Sequence, residues 1–246
     1  MRVLNCVSFY LAGTKILVAT GYAGSSWEPG RHTEIVDLED PSFQCEVGQY
    51  PRDAYAAVGG MIGQTPFVCG GHDGGRIKNC YSLQENGDWQ EDPVAILGEN
   101  GRWNAADGDV VLHDQLVLVG GASYKKTMEL AGLNTEVKML DIELPIGRGW
   151  GCVARWDDDT FIVVGGYHSK DDTYFVNIIN KTITDGPKLL QGRHYIACHE
   201  MKVNDEEYIV VTGGFRQTDG WLKTTEMLSK SNFGKGWQKS KYTSWM

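Results

Sequence analysis

The chain has 246 residues, 41% of them hydrophobic and 22% charged, which is a globular composition with enough apolar residues for a sizeable core. Its formal charge of −9 would repel a phosphate backbone and excludes general nucleic-acid binding, and no run of about 18 apolar residues is present to cross a membrane as a helix. The 31 glycines against 7 prolines, with no three-residue period, mark turns rather than collagen or a disordered tract.

The opening MRVLNCVSFYLAG is interrupted by Asn5 and Ser8 and reads as structure rather than a signal peptide, so a cytoplasmic location is the default and an extracellular one follows if the chain is a fragment. An apolar run ending in a small pair comes next, KILVATG (15–21), and then a strand-like run, TEIVDL (33–38). The same order returns as PFVCGG (66–71), NCYSL (79–83) and DWQE (88–91), then as QLVLVGG (115–121) and TEVKML (135–140). It returns again as FIVVGG (161–166) and TYFVNI (173–178), and last as YIVVTGG (208–214), TEMLS (225–229) and GWQK (236–239). The final glycines of the five runs are 50, 50, 45 and 48 residues apart, a period that indicates a propeller, solenoid or array.

An arginine keeps register with each run. Arg2, Arg52, Arg102, Arg148 and Arg193 precede the first residue of the small pair by 18, 18, 18, 17 and 20 positions. Tyr55, Trp103, Trp150 and Tyr195 follow four of them within three residues. Four short strands per unit, without helix-length periodicity, predict antiparallel blades rather than strand–helix–strand units. The five arginines are expected to cap backbone carbonyls or to pair with neighbouring blades.

These units resemble the kelch repeat family, in which an apolar strand ends in Gly-Gly, an aromatic lies on the third strand and a Trp on the fourth. The second unit carries FVCGG, Tyr81 and Trp89, the fifth carries VTGG and Trp237, and the first has Thr20-Gly21 at the pair. The resemblance implies an all-β fold, a β-propeller of five four-stranded antiparallel kelch-type blades. It also implies a single domain over 1–246, with repeats at about 2–49, 50–99, 100–146, 147–191 and 192–240. Many members of the family have six blades; this chain supplies five units.

By the same resemblance the chain is a protein-interaction module. Its binding face comprises residues after each small pair and after each repeat arginine: Tyr55, His72, Asp73, Trp103, Trp150, Tyr167, His168, Tyr195, Phe215 and Arg216. That aromatic composition, with an arginine, is the composition of binding hot spots. A propeller enzyme, or a glycan-binding protein acting at the central channel, is the alternative.

A search for chemistry leaves no catalytic, metal or cofactor set. His194 and His199, five apart on one strand, fall on opposite faces, and His72, His168 and His194 have no partnered carboxylate pattern. Asp157 to Asp159 read as a hairpin turn, and GRGWG (147–151) is not a dinucleotide fingerprint, since no helix follows. Six cysteines contain no C-x-x-C pair; Cys69 and Cys80 are expected on adjacent strands, where an oxidising compartment would join them. Asn180-Lys181-Thr182 is a glycosylation sequon, relevant only to a secreted chain. The lysines after Ser229 read as a solvated edge.

Overall fold

A strand that is apolar at every position must be covered on both faces, so runs such as Phe161 to Val164 belong between packed layers. In the computed structural model these runs form the second strand of five antiparallel sheets: Lys15–Ala19, Thr65–Cys69, Gln115–Val119, Thr160–Val164 and Glu206–Thr212. The structure describes all residues except 1, 2, 5, 24–27, 41, 44, 46, 99, 100, 103–107, 122–124, 169 and 241–246. The fold is all-β, and its small sheets, mostly of four strands, are the blades of a five-bladed β-propeller. Among the described residues the only helical segment is a single 3-10 turn, Phe233–Lys235.

Each of these five sheets is a meander in chain order. The second runs Val58–Ile62, Thr65–Cys69, Asn79–Leu83, Trp89–Ile96, and the fourth runs Cys152–Arg155, Thr160–Val164, Thr173–Asn177, Thr182–Asp185. The fifth runs Ala197–Val203, Glu206–Thr212, Thr225–Ser229, Gln238–Lys239. The first shows three strands among the described residues, Val7–Ala12, Lys15–Ala19 and Thr33–Asp37. The third corrects the sequence reading. Its third strand is Met128–Ala131, and the TEVKML run supplies instead the short outer strand Lys138–Met139.

Contact density divides the chain into two units, one of 1–104, 114–118 and 129–139, the other of 105–113, 119–128 and 140–246. The division runs through the third sheet. In the first unit Val7, Phe9 and Leu17 of the first sheet pack with Val68, Tyr81 and Leu83 of the second. In the second unit Ile162 and Val164 of the fourth sheet pack with Ile209, Val211 and Leu228 of the fifth.

The repeat arginines explain the small pairs. Arg193 is fully buried and donates to the carbonyls of Gly213 and Thr224, each at 2.9 Å, and to the Glu226 carboxylate at 2.5 Å. Arg148, also buried, donates to the carbonyls of Gly165 and Asp172 and lies over the Tyr174 ring. Arg102 pairs with buried Glu129, and Arg52 with Asp73 and Asn79. These partners all lie in the arginine's own blade; Arg2 lies outside the described residues.

Their backbones do the stitching between blades. The second glycine of a pair donates to the carbonyl of the next unit's arginine: Gly71 to Arg102 at 2.7 Å, Gly121 to Arg148 at 2.8 Å, Gly166 to Arg193 at 3.0 Å. The first glycine sits so close that a Cβ on Gly120 or Gly165 would lie 2.4 or 2.7 Å from that same carbonyl oxygen, and both have positive φ. Only glycine satisfies both demands there.

The tryptophans make the equivalent link on the outer strands. Trp89 Nε1 donates to Thr33 Oγ1 of the preceding blade at 3.2 Å, and Trp237 Nε1 to the Pro187 carbonyl at 2.8 Å. Two disulfides complete the frame. Cys69 and Cys80 face each other on neighbouring strands with Cα atoms 4.1 Å apart, and Cys152–Cys198 joins the first strands of the fourth and fifth sheets across 5.8 Å.

Candidate functional site

The residue after each small pair bridges back to the segment after a repeat arginine. In the second unit Tyr167 N donates to Gly149 O at 3.0 Å, while His194 and Phe215 exchange both backbone hydrogen bonds, at 3.2 and 2.7 Å. Tyr195 N donates to Trp150 O at 2.8 Å. These four bonds bring Trp150, Tyr167, His168, His194, Tyr195 and Phe215 together, and the short hairpin Phe215–Arg216/Gly220–Trp221 adds Trp221.

The rings meet edge to face or tilted. Tyr167 lies 5.6 Å from Trp150 and 5.1 Å from His194, and His194 lies 4.7 Å from Tyr195 and 5.5 Å from Phe215. Tyr167, Tyr195 and Trp221 remain 41%, 43% and 71% exposed. Trp150 and Tyr195, each two positions after its arginine, both hold a left-handed backbone, with φ of 57° and 56°. Bulky side chains rarely adopt that conformation, and such outliers cluster at ligand-binding sites.

A cleft of about 510 Å³ opens on this cluster, lined by Tyr167, His168, Lys170, His194, Phe215 and Gln217. His194 is buried, and its Nδ1 has no hydrogen-bond partner among the described residues. Burial, reinforced by the Lys170 charge, pushes its pKa below the usual histidine value, so the ring is neutral at pH 7. Lys170 Nζ donates to Gln217 Oε1 at 3.3 Å across the rim. Arg216 lines a second, adjoining cleft of about 350 Å³ and pairs with Asp219 at 2.9 Å.

The first unit holds a smaller group of the same register. Tyr55 and His72 exchange backbone hydrogen bonds at 3.2 and 3.0 Å, and Tyr55 stacks on Tyr22 with ring centroids 4.2 Å apart. His72 Nδ1 accepts from Gly74 N, which leaves the neutral ring's proton on Nε2, and Asp73 is held by Arg52. Tyr55, His72 and Asp73 are thus one part-buried group, and Trp150, Tyr167, His168, Tyr195, Phe215 and Arg216 another. Trp103 lies outside the described residues.

Sequence reasoning left two members out. His194 directly follows the repeat arginine, which is the signal that could find it; Trp221 lies on the returning strand of the hairpin, outside the repeated motif. Among the described residues no group of three or more His, Cys, Asp or Glu side chains could hold a metal ion, and no helix is long and apolar enough to cross a membrane.

No protein-family model matches the chain, and no curated protein is detectably similar to it.

Proposed function

We propose that the chain is a kelch-type repeat module, one domain over 1–246, that binds a partner protein through the aromatic cleft of its second unit. The observation that supports this most is the contiguous, part-exposed set Trp150, Tyr167, Tyr195, Phe215 and Trp221 around buried His194. The cores between the blades are built from the buried strands, and these aromatic side chains stay part-exposed. Aromatic clusters rimmed by polar residues are the usual anchors of protein interfaces. Lys170, Gln217 and Arg216 supply that rim.

The test starts from a partner captured on the immobilised protein and identified by mass spectrometry. Its affinity is then titrated against the wild type and against Tyr167→Ala combined with Trp221→Ala. Truncating two anchors is expected to weaken binding by roughly 30-fold or more, the equivalent of about 2 kcal/mol. Unchanged affinity in a folded variant rejects this site. His72→Ala alone asks the same of the group around Tyr55 and His72.

A further inference from the structure

The turn between Thr173–Asn177 and Thr182–Asp185, the two outer strands of the fourth sheet, contains Asn180-Lys181-Thr182. Asn177 builds this turn: its Oδ1 accepts the backbone N–H groups of Ile179 at 3.1 Å and Asn180 at 2.7 Å. Lys181 closes it in the left-handed region, with φ of 53°, and pairs with Asp141. The Asn180 side chain takes no part in that scaffold. Residues 179 to 182 are all exposed, with Ile179 at 59%, and the side-chain amide of Asn180 has no hydrogen-bond partner among the described residues.

The cysteines point independently to a compartment. Four of the six are joined in pairs: Cys69 with Cys80, wholly buried between neighbouring strands, and Cys152 with Cys198, linking two sheets. Disulfides of this structural kind form and persist in oxidising compartments and are rare where glutathione keeps thiols reduced. Asparagine-linked glycosylation belongs to the same secretory route and needs an accepting Asn with Thr or Ser two residues later, on a surface loop.

We propose that Asn180 is an N-glycosylation site, modified in the compartment where the two disulfides form. The donor class is a lipid-diphosphate-linked oligosaccharide. The Asn180 amide nitrogen forms a bond to the anomeric carbon as the bond from that carbon to the diphosphate oxygen breaks; the amide gives up one proton and the lipid diphosphate leaves. The exposed hairpin tip accommodates the bulky product without disturbing the blade, and the glycan covers neighbouring Ile179.

The experiment uses native protein from its source, alkylated before digestion. Its peptides are mapped by mass spectrometry after enzymatic deglycosylation in heavy-oxygen water. The expected result is an Asn180 peptide recovered as heavy-oxygen aspartate, with Cys69–Cys80 and Cys152–Cys198 peptides still disulfide-linked. An unmodified Asn180 peptide in full yield overturns the proposal, and so do alkylated Cys69 and Cys80. A second arm passes the full chain through the secretory pathway of cultured eukaryotic cells. Asn180→Gln and Thr182→Ala should lose the glycan-dependent mobility shift and Thr182→Ser should keep it; a shift that survives Asn180→Gln also overturns the assignment.

Discussion

The fourth and fifth sheets start from nearly the same apolar run, FIVV and YIVV, and end up packed differently. Every position of Thr160–Val164 is buried, so both faces of the fourth sheet are covered. In Glu206–Thr212 only Ile209 and Val211 are buried, both against the fourth sheet, while Tyr208 and Val210 on the other face stay part-exposed. Their arginines differ as well. Arg193 meets a buried carboxylate, Glu226, which also accepts the Leu190 and Gln191 N–H groups. Arg148 is held by carbonyls and a ring, and burial pulls its pKa down to about 10. The repeat signal therefore marks where a strand lies and where a guanidinium goes, but not how many faces are covered or how the charge is balanced.

The largest expected effect separates the two arginines. Arg193→Met strands Glu226 as a buried, unpaired carboxylate and should cost about 3–5 kcal/mol in urea unfolding. Arg148→Met takes a donor from the Gly165 and Asp172 carbonyls and strands no fully buried carboxylate, which predicts about 1–3 kcal/mol. Equal losses would mean that Glu226 is not the difference between the two blades.

Two valines probe the faces. Val163 is fully buried on the fourth sheet, and Val163→Ala should lose about 2 kcal/mol; Val210→Ala, on the part-exposed face of the fifth sheet, should lose less than about 1 kcal/mol. A larger loss at Val210 would indicate that the outer face of the fifth sheet is covered in solution.

The smallest effects are in pH. His194 has a depressed pKa, chiefly through burial, so the unfolded chain takes up its proton first, and stability falls as pH drops through the ordinary histidine value of about 6.5. His199 has the opposite sign. Its hydrogen bond to Asp109 raises its pKa, so its contribution is present below about pH 6.5 and is lost as pH rises through the folded value; being half exposed, it contributes little. Unfolding measured between about pH 5 and 8 should become flatter on its acid side in His194→Asn. A wild-type acid limb unchanged by that substitution would contradict the burial argument.

Much of this frame is legible in the sequence because its causes are local. The Gly-Gly pairs appear wherever a backbone must pass an arginine carbonyl, and the arginines recur at nearly constant spacing because each reaches carbonyls of its own blade. The third blade defeats the pattern. Glu129 is the partner of Arg102, as Glu226 is of Arg193, yet it sits in MEL without the preceding Thr, and the more regular TEVKML drew the assignment one strand too far. Cys152–Cys198 is illegible for another reason: its halves are 46 residues apart on strands of different blades, and nothing local pairs them. The aromatic group is half visible. Trp150, Tyr167, Tyr195 and Phe215 keep repeat register, whereas Trp221 stands on the returning strand of a hairpin whose counterpart in the first repeat, Tyr22–Ala23 with Glu28–Pro29, carries Pro29 at that place.

The central claim is that the buried strands and arginines build the blades while the aromatic loops of the second unit are left for a partner. Amide hydrogen exchange, compared between the free protein and its complex with the captured partner, tests it most directly. New protection confined to Tyr167–Lys170, His194–Tyr195 and Phe215–Trp221 is the predicted footprint. Protection along the outer strands Trp89–Ile96 or Thr182–Asp185, with those loops unchanged, would contradict it.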